Sequence, residues 1–298
     1  MSKNKSSLYD DFLMPPFSVH DAQNGKWQRR KDYWLGKGIQ SELGRDLVQG
    51  GLAEASYMPD LDVKSIFDPV LTECYYLWHT KPDQVILDPF AGGSVRGVVA
   101  GKMNRYYYGV DLSEKQIKAN RDQVNTIFEY NNKDIEIAPN YIVGDSETSI
   151  PDIDSDYIFS CPPYGDLEVY SRDKNDLSNM KYYKFIDKYK RIIEIAVSTL
   201  KNNRFATIVV GEFRQKNGNY CGFVQDTIHA FQRAGMDYYN ESILLTNAGT
   251  LPFRARGPFT KSRKIGKTHQ NVLTFVKGDP AKATKEIKDR SRPEQQTL

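Results

Sequence analysis

The chain has 298 residues, 39% of them hydrophobic, and a net charge of +3 at pH 7. That apolar share, with 21 glycines, supports a real core and excludes collagen-like, low-complexity and globally disordered classes. No run reaches the roughly 18 apolar residues of a membrane helix, the start MSKNKSSLYDDF lacks a secretory apolar run, and three cysteines fit a reducing cytoplasm.

Residues 1–60 are rich in Gly, Pro, Gln and aromatics and read as an irregular N-terminal extension with a short helix near 27–35. Within it, aromatics and cations interleave from Lys26 to Trp34, which fits either a nucleic-acid contact or an arm packed on the rest of the chain. From residue 65 the texture changes. A helix is expected over 66–79, stopped by Lys81-Pro82-Asp83. The run VILDPF (85–90) is of the kind that forms a buried parallel strand. Helix 95–103, strand 106–112 and helix 113–128 follow, the last with Ser113 as N-cap and Glu114 in its first turn. Short strands are expected at 141–143 and 156–160. Helix 181–200 places Ile186, Tyr189, Ile193, Val197 and Leu200 near a 3.6-residue period. Strand 205–211, helix 221–234 and strands 241–246 and 271–276 complete the series, and the polar residues 279–298 read as a disordered tail. Strands alternating with helices predict an α/β, Rossmann-like, doubly wound and mostly parallel sheet of seven strands. The last two strands have no helix expected between them, so the terminal one should run antiparallel. The expected domains are the extension 1–60, a catalytic domain 61–278 and the tail 279–298.

Candidate chemistry gathers at strand ends. Leu87 to Ser94 (LDPFAGGS) ends a buried strand in a small-residue turn, where glycine lets the backbone approach a ligand. The next strand ends in Gly109-Val110-Asp111, with an acid placed to bind ribose hydroxyls, and the third is followed by Asp145. Neither GxGxxG nor GxxxxGK[ST] is present, so a nucleoside without phosphates fits better than a dinucleotide. After the fourth strand comes Ser160-Cys161-Pro162-Pro163-Tyr164. Two prolines fix φ and stiffen the turn. No Cys/His spacing suggests zinc.

DPFAGGS, then GVDL, then SCPPY resembles the class I S-adenosylmethionine-dependent methyltransferases. It resembles in particular the DNA amino-methyltransferases that modify adenine N6 or cytosine N4, with their FxGxG loop and [DNS]PP[YF] tetrad. The segment Phe67-Asp68-Pro69-Val70-Leu71 is similar to the cofactor segment upstream of that loop, and HQNVLTFVKG (269–278) to the family's closing strand. The overall texture is similar to phage and prophage enzymes acting in a bacterial host cell. The resemblance implies S-adenosyl-L-methionine as cofactor, held by Phe67, Asp88, Phe90, Gly92, Gly93, Asp111 and Asp145. Among these, Phe90 and Gly92 would meet its methionine part, Asp111 its ribose and Asp145 its adenine. It implies a target pocket of Cys161, Pro162, Pro163 and Tyr164, with Tyr164 stacking on a base extruded from double-stranded DNA.

Two positions depart from the family pattern. Ser94 stands where a second glycine is usual, and Cys161 replaces the residue that accepts a hydrogen bond from the target amine; a thiol is a weak acceptor. Cytosine-C5 chemistry by a Cys161 nucleophile, an RNA base amino-methyltransferase and a catalytically inactive SAM- and DNA-binding regulator stand as alternatives. So do a monomer and a homodimer.

Charge is uneven. Residues 1–200 hold 24 Lys/Arg against 30 Asp/Glu, and residues 201–298 hold 17 against 8. Arg254, Arg256, Lys261, Arg263, Lys264 and Lys267 fall in the connection between the last two strands, which reads as a long loop without an acid that binds DNA phosphates. Of these, Arg254, Arg256, Arg263 and Lys264 are the leading contacts. The acidic segment 165–180 reads as a lid over the base.

Overall fold

The computed structural model describes residues 7–40, 67–129, 136–163, 177–215, 217–246, 249 and 251–287. Tyr164, most of the 165–180 segment, residues 41–60 and the tail 288–298 lie outside these. The described strands are β1 (Val19–Asp21), β2 (Val85–Asp88), β3 (Tyr106–Asp111), β4 (Asn140–Val143), β5 (Ser155–Ser160), β6 (Leu200–Val210), β7 (Asp237–Leu245) and β8 (His269–Lys277). The helices are α1 (Leu8–Phe12), α2 (Gly25–Leu35), α3 (Pro69–His79), α4 (Val95–Lys102), α5 (Glu114–Glu129), α6 (Ser146–Ser149), α7 (Tyr182–Thr199), α8 (Phe223–Arg233), α9 (Leu251–Ser262) and α10 (Pro280–Ile287).

The strands form one sheet in the order β1-β7-β8-β6-β5-β2-β3-β4. β8 runs antiparallel to both β6 and β7, and every other pairing is parallel. The doubly wound α/β architecture is as expected from the strand–helix alternation, with one addition. β1 is an eighth strand, drawn from the extension and paired with β7. Three residues are too short to show a period-2 signal, so only docking against β7 reveals it.

From β2 the chain steps outward through β3 and β4, then returns to place β5 on the other side of β2. The order reverses there, which opens a crevice above the carboxyl ends of β2 and β5. Successive strand residues serve opposite faces. Ile86, Tyr157, Phe159 and Phe205 join one core with α3, α4, α5, α2 and α10, while Leu87, Ile158 and Ala206 join the other with α7 and α8.

Local signals account for the helix starts. Ser113 Oγ accepts from the Gln116 amide at 3.2 Å, so the expected cap on α5 forms. Asp68 caps α3 through the amides of Val70 and Leu71, with Pro69 pre-set at the first helical position. α3 is buried along almost its whole length because the N-terminal segment covers its outer side. Trp27 Nε1 donates to Asp68 at 3.1 Å, Trp34 Nε1 to Glu73 at 2.7 Å, and Arg30 pairs with Glu73. The aromatic and cationic residues of the 26–34 stretch are thus largely engaged in packing on α3.

Two expectations need correction. Residues 280–287, read as part of a disordered tail, form α10; Ala283 and Ile287 are buried at i and i+4, a stripe too short to stand out in a polar sequence. The connection around residues 251–262, read as a long basic loop between two strands, is α9, with Gly257-Pro258 inside it. Leu, Arg, Ala and Lys around that pair favour helix, and this preference prevails over the break expected from Gly-Pro.

α4 approaches the sheet closely enough to require glycine. A Cβ at Gly97 would stand 2.2 Å from the Tyr141 hydroxyl and 3.0 Å from the Tyr107 ring. Gly97→Ala should lower stability by about 1–3 kcal/mol, read as a reduced urea midpoint at unchanged slope.

Candidate active site

The turn after β2 and the turn after β5 share one buried acid. Asp88 ends β2, is fully buried, and accepts four hydrogen bonds. Its Oδ1 takes the Phe90 amide (3.1 Å) and the Ser160 hydroxyl (2.5 Å); its Oδ2 takes Arg96 Nε (2.6 Å) and the Tyr107 hydroxyl (2.7 Å). Asp88, expected as a cofactor contact, is occupied instead in tying the two turns together. Burial opposes the charge on Arg96, but Asp88 outweighs it and raises the guanidinium above its usual pKa. Burial, then the Asp88 charge, pushes the Tyr107 hydroxyl well above its usual range, so it stays a proton donor.

Arg96 reaches further. Its Nη2 donates to the carbonyls of Phe90 (2.7 Å) and Ala91 (2.9 Å), and its guanidinium lies 4.5 Å from the centre of the Phe67 ring. Phe67 in turn meets Phe159 edge-on at 5.7 Å. One buried cation therefore shapes the turn at 89–93 and joins it to the upstream segment. No motif in the sequence singled it out.

In the glycine turn, the left-handed conformation falls on Gly92, with φ 51°, where a side chain would be strained. Ser94, the departure from the family loop, is helical (φ −71°, ψ −15°) and buried, so it needs no glycine. Its hydroxyl donates to Gln123 at 2.9 Å. The Gly92 amide donates to Asp111 Oδ2 at 2.9 Å, and its carbonyl accepts from Asn120 Nδ2 at 2.7 Å. Gln116 holds Asn120 at 2.9 Å. These polar residues on the inner side of α5 were invisible to sequence reasoning, since Gln and Asn on an amphipathic helix read as solvent-facing.

Asp111 ends β3; its Oδ1 accepts from the Ser113 amide at 2.8 Å, and the residue stays partly exposed. Asp145 caps α6 through the Glu147 amide and pairs with the buried Lys188 of α7. Ser146 donates to the Pro89 carbonyl at 2.5 Å, so the turn after β4 is tied to the glycine turn. Phe90 is buried and stacks on Tyr189 at 5.7 Å.

After β5, Cys161 is partly buried, Pro162 buried and Pro163 partly exposed. Cys161 lies within electrostatic range of Arg96 and Tyr189. The structure thus brings Phe67, Asp88, Phe90, Gly92, Gly93, Asp111, Asp145 and Cys161 to Pro163 to neighbouring ends of β2 to β5. Gly92, Asp111, Asp145, Cys161 and Pro163 keep exposed area above a closed core. That partly open row of glycine backbone and carboxylates suits a ligand rich in hydroxyl and amine donors. No group of three metal-ligating side chains occurs among the described residues.

The basic segment reaches the same edge. β7 is antiparallel to β8, which is antiparallel to β6, so β7 ends where β5 and β6 end. Arg254, Arg256, Lys261 and Arg263 are exposed on or just after α9. Lys264 runs over Gly218 in the segment after β6, where a Cβ would stand 2.7 Å from its Cε. Burial lowers the pKa of Lys267 from its usual value, against the opposing pull of Glu212. Among the described residues, no helix is long and apolar enough to cross a membrane.

Residues 71–122 match the family model described as DNA methylase of the N6/N4 type. No curated protein matches the chain. Among solved structures, TrmN from Thermus thermophilus is 15% identical at a TM-score of 0.47, over 72% of this chain and 51% of TrmN. The chain therefore spans about half the length of that protein. Magnesium protoporphyrin IX methyltransferase (ChlM) from Synechocystis PCC 6803, with bound SAM, is 13% identical at 0.40, over 66% of this chain and 71% of the other. TTHA0409, also from Thermus thermophilus and named as a candidate DNA modification methylase, is 17% identical at 0.33, over 45% and 49%. Residues 71–122 are thus similar to the N6/N4 DNA methylases, and the glycine turn, strand-end acid and diproline turn follow one another along the same sheet edge.

Proposed function

We propose that the protein transfers a methyl group from S-adenosyl-L-methionine to an exocyclic amine of a DNA base, adenine N6 or cytosine N4. The observation that carries this reading is the Asp88 junction. One buried carboxylate holds the glycine turn through the Phe90 amide and the diproline turn through the Ser160 hydroxyl. Cofactor loop and target shelf are thereby fixed relative to each other. For a transfer governed by positioning, such rigidity is the chief contribution a protein can make.

The cofactor, when bound, supplies an activated methyl on a sulfonium. Gly92 offers close backbone approach, and Asp111 offers a carboxylate to ribose hydroxyls. Asp145, held by Lys188, presents a carboxylate to the adenine side. Phe67 and Phe90 wall the methionine end, with Gly93 completing the turn. Cys161, Pro162, Pro163 and Tyr164 present the target base, and the Pro162 carbonyl is the stronger acceptor for its amine, since a thiol accepts weakly. Arg254, Arg256, Arg263 and Lys264 carry the phosphate contacts.

The direct test is transfer of labelled methyl from S-adenosyl-L-methionine to DNA, followed by nucleoside mass spectrometry. Methyl on adenine N6 or cytosine N4 is expected; label in RNA alone, or in neither polymer, overturns the reading. Cys161→Ser separates two chemistries on the same assay. Serine can accept from the amine, so activity should stay within about tenfold. Loss beyond about a thousandfold, with 5-methylcytosine in the parent's product, identifies Cys161 as a nucleophile.

A further inference from the structure

We propose that Phe253 is a wedge, which the protein inserts between base pairs of a DNA duplex lying on the cationic surface of α9. The proposal rests on DNA as the methyl acceptor and deepens that reading by assigning the duplex contact.

α9 touches the body of the protein along one narrow stripe. Leu251 and Ala255, one turn apart, are partly covered; the other ten residues of the helix are exposed. Leu251 is anchored beside Gly266, where a Cβ would stand 2.7 Å from its side chain. Above that stripe Phe253 is 84% exposed, more than Ile265 at 72% or Phe17 at 60%. A scattered exposed Leu is ordinary. A nearly bare phenyl ring beside Arg254 and Arg256, on a helix with Lys261 and no acid, is not.

Charge identifies the occupant. From Ser242 to Gly278 the sequence holds no Asp or Glu, while Arg254, Arg256, Lys261, Arg263, Lys264 and Lys267 all fall between the two strands. α9 is about 18 Å long at 1.5 Å per residue, enough to follow about five base-pair steps. It also stands at the sheet edge where β5 delivers Cys161 to Pro163. Phe259 shares its face with the Arg263 guanidinium, 5.4 Å from the ring centre, which marks Phe253 as the ring presented outward. Apolar side chains among cations are what part base steps in bent DNA. Extruding a base for methylation leaves a gap in the stack that a phenyl ring can fill.

The test uses the full chain and relaxed closed-circular plasmid treated with topoisomerase I, so that any unwinding is locked in as a change of linking number. The parent should lower the linking number in proportion to bound protein. Phe253→Ala should unwind at least about fivefold less at matched occupancy, with the salt dependence of binding unchanged. Phe253→Trp should restore unwinding, which excludes simple misfolding. Replacing Arg254, Arg256, Arg263 and Lys264 by Ala should flatten the log K against log salt slope by about 3 to 4. The wedge is overturned if Phe253→Ala unwinds like the parent, if the parent does not unwind, or if anionic vesicles or duplex RNA displace the plasmid at lower concentration than DNA does. Methyl incorporation into the same plasmid reports separately. Methylated DNA with unimpaired unwinding by Phe253→Ala retires the wedge alone. Phe253-dependent unwinding without methylated DNA supports the wedge and retires the amine-methylation reading.

Discussion

Asp88→Asn should cost about 3–5 kcal/mol of folding stability, the loss typical of removing one partner from a buried ion pair. Asp88 and Arg96 are both buried and meet at 2.6 Å, so an amide at position 88 leaves the guanidinium charge without its counter-ion in a site closed to water. The amide also brings a donor group into a place where four donors already converge. The exposed pair Arg233–Glu194 at 2.8 Å is the control; Glu194→Gln should cost below about 1 kcal/mol. Urea unfolding monitored by fluorescence gives both values. If Asp88→Asn costs no more than Glu194→Gln, the junction does not hold the turns. Because Asp88 restrains both the glycine turn and Ser160, cofactor affinity should fall with stability. Conditions in which the variant is still fully folded separate the two effects.

The second large effect is a loss of stability on mild acidification, traced to His20. Its ring is buried among Trp27, Tyr75 and Trp78, with Nε2 at 3.1 Å from the Ser242 hydroxyl and 3.4 Å from that of Tyr75. Burial lowers its pKa from 6.5 to about 4. Above pH 6.5 the ring is neutral in both states and costs nothing. As pH falls from 6.5 toward 4 the unfolded chain takes up a proton that the folded chain refuses, so stability drops across that window and levels off below it. At 1.36 kcal/mol per pKa unit the full loss is of order 3 kcal/mol. The slope should be shallower in His20→Gln, which cannot titrate, and the difference between the two proteins cancels the carboxylates common to both. Equal slopes for parent and variant would show that His20 protonates without disturbing its pocket. The expected consequence is local: β1 and α2 are pinned around this ring, so acid should loosen the N-terminal cover of α3 first.

How far the sequence could be read follows from where each signal lies. Strand β2 was legible because VILD is a continuous apolar run, and the glycine turn because a strand that breaks into Gly92-Gly93 has few other uses. The cap at Ser113 and the period of α7 are local features that survive without a partner. β1 and α10 were not legible. Three residues in one case, and two buried side chains in the other, take their structure from the surface they settle on. α9 reads as a loop in the sequence because no apolar period marks it, yet Leu, Arg, Ala and Lys on either side of Gly257-Pro258 carry a helix through.

The sequence by itself determined the alternation of strands and helices, the strand ends at which Gly92, Asp111, Asp145 and Cys161 stand, and the basic character of the last connection. These depend on residues close together in the chain. Only the tertiary structure decided that Asp88 is a tie between two turns, and that Arg96, Asn120 and Lys188 belong to the site. It also decided that the Trp27–Trp34 stretch covers α3, and that Arg254, Arg256 and Lys261 stand on a helix at the edge where β5 and β6 end. Each is a matter of which polar group must find a partner once water is excluded. That pairing is set by contacts between elements tens of residues apart, which spacing along the chain does not encode.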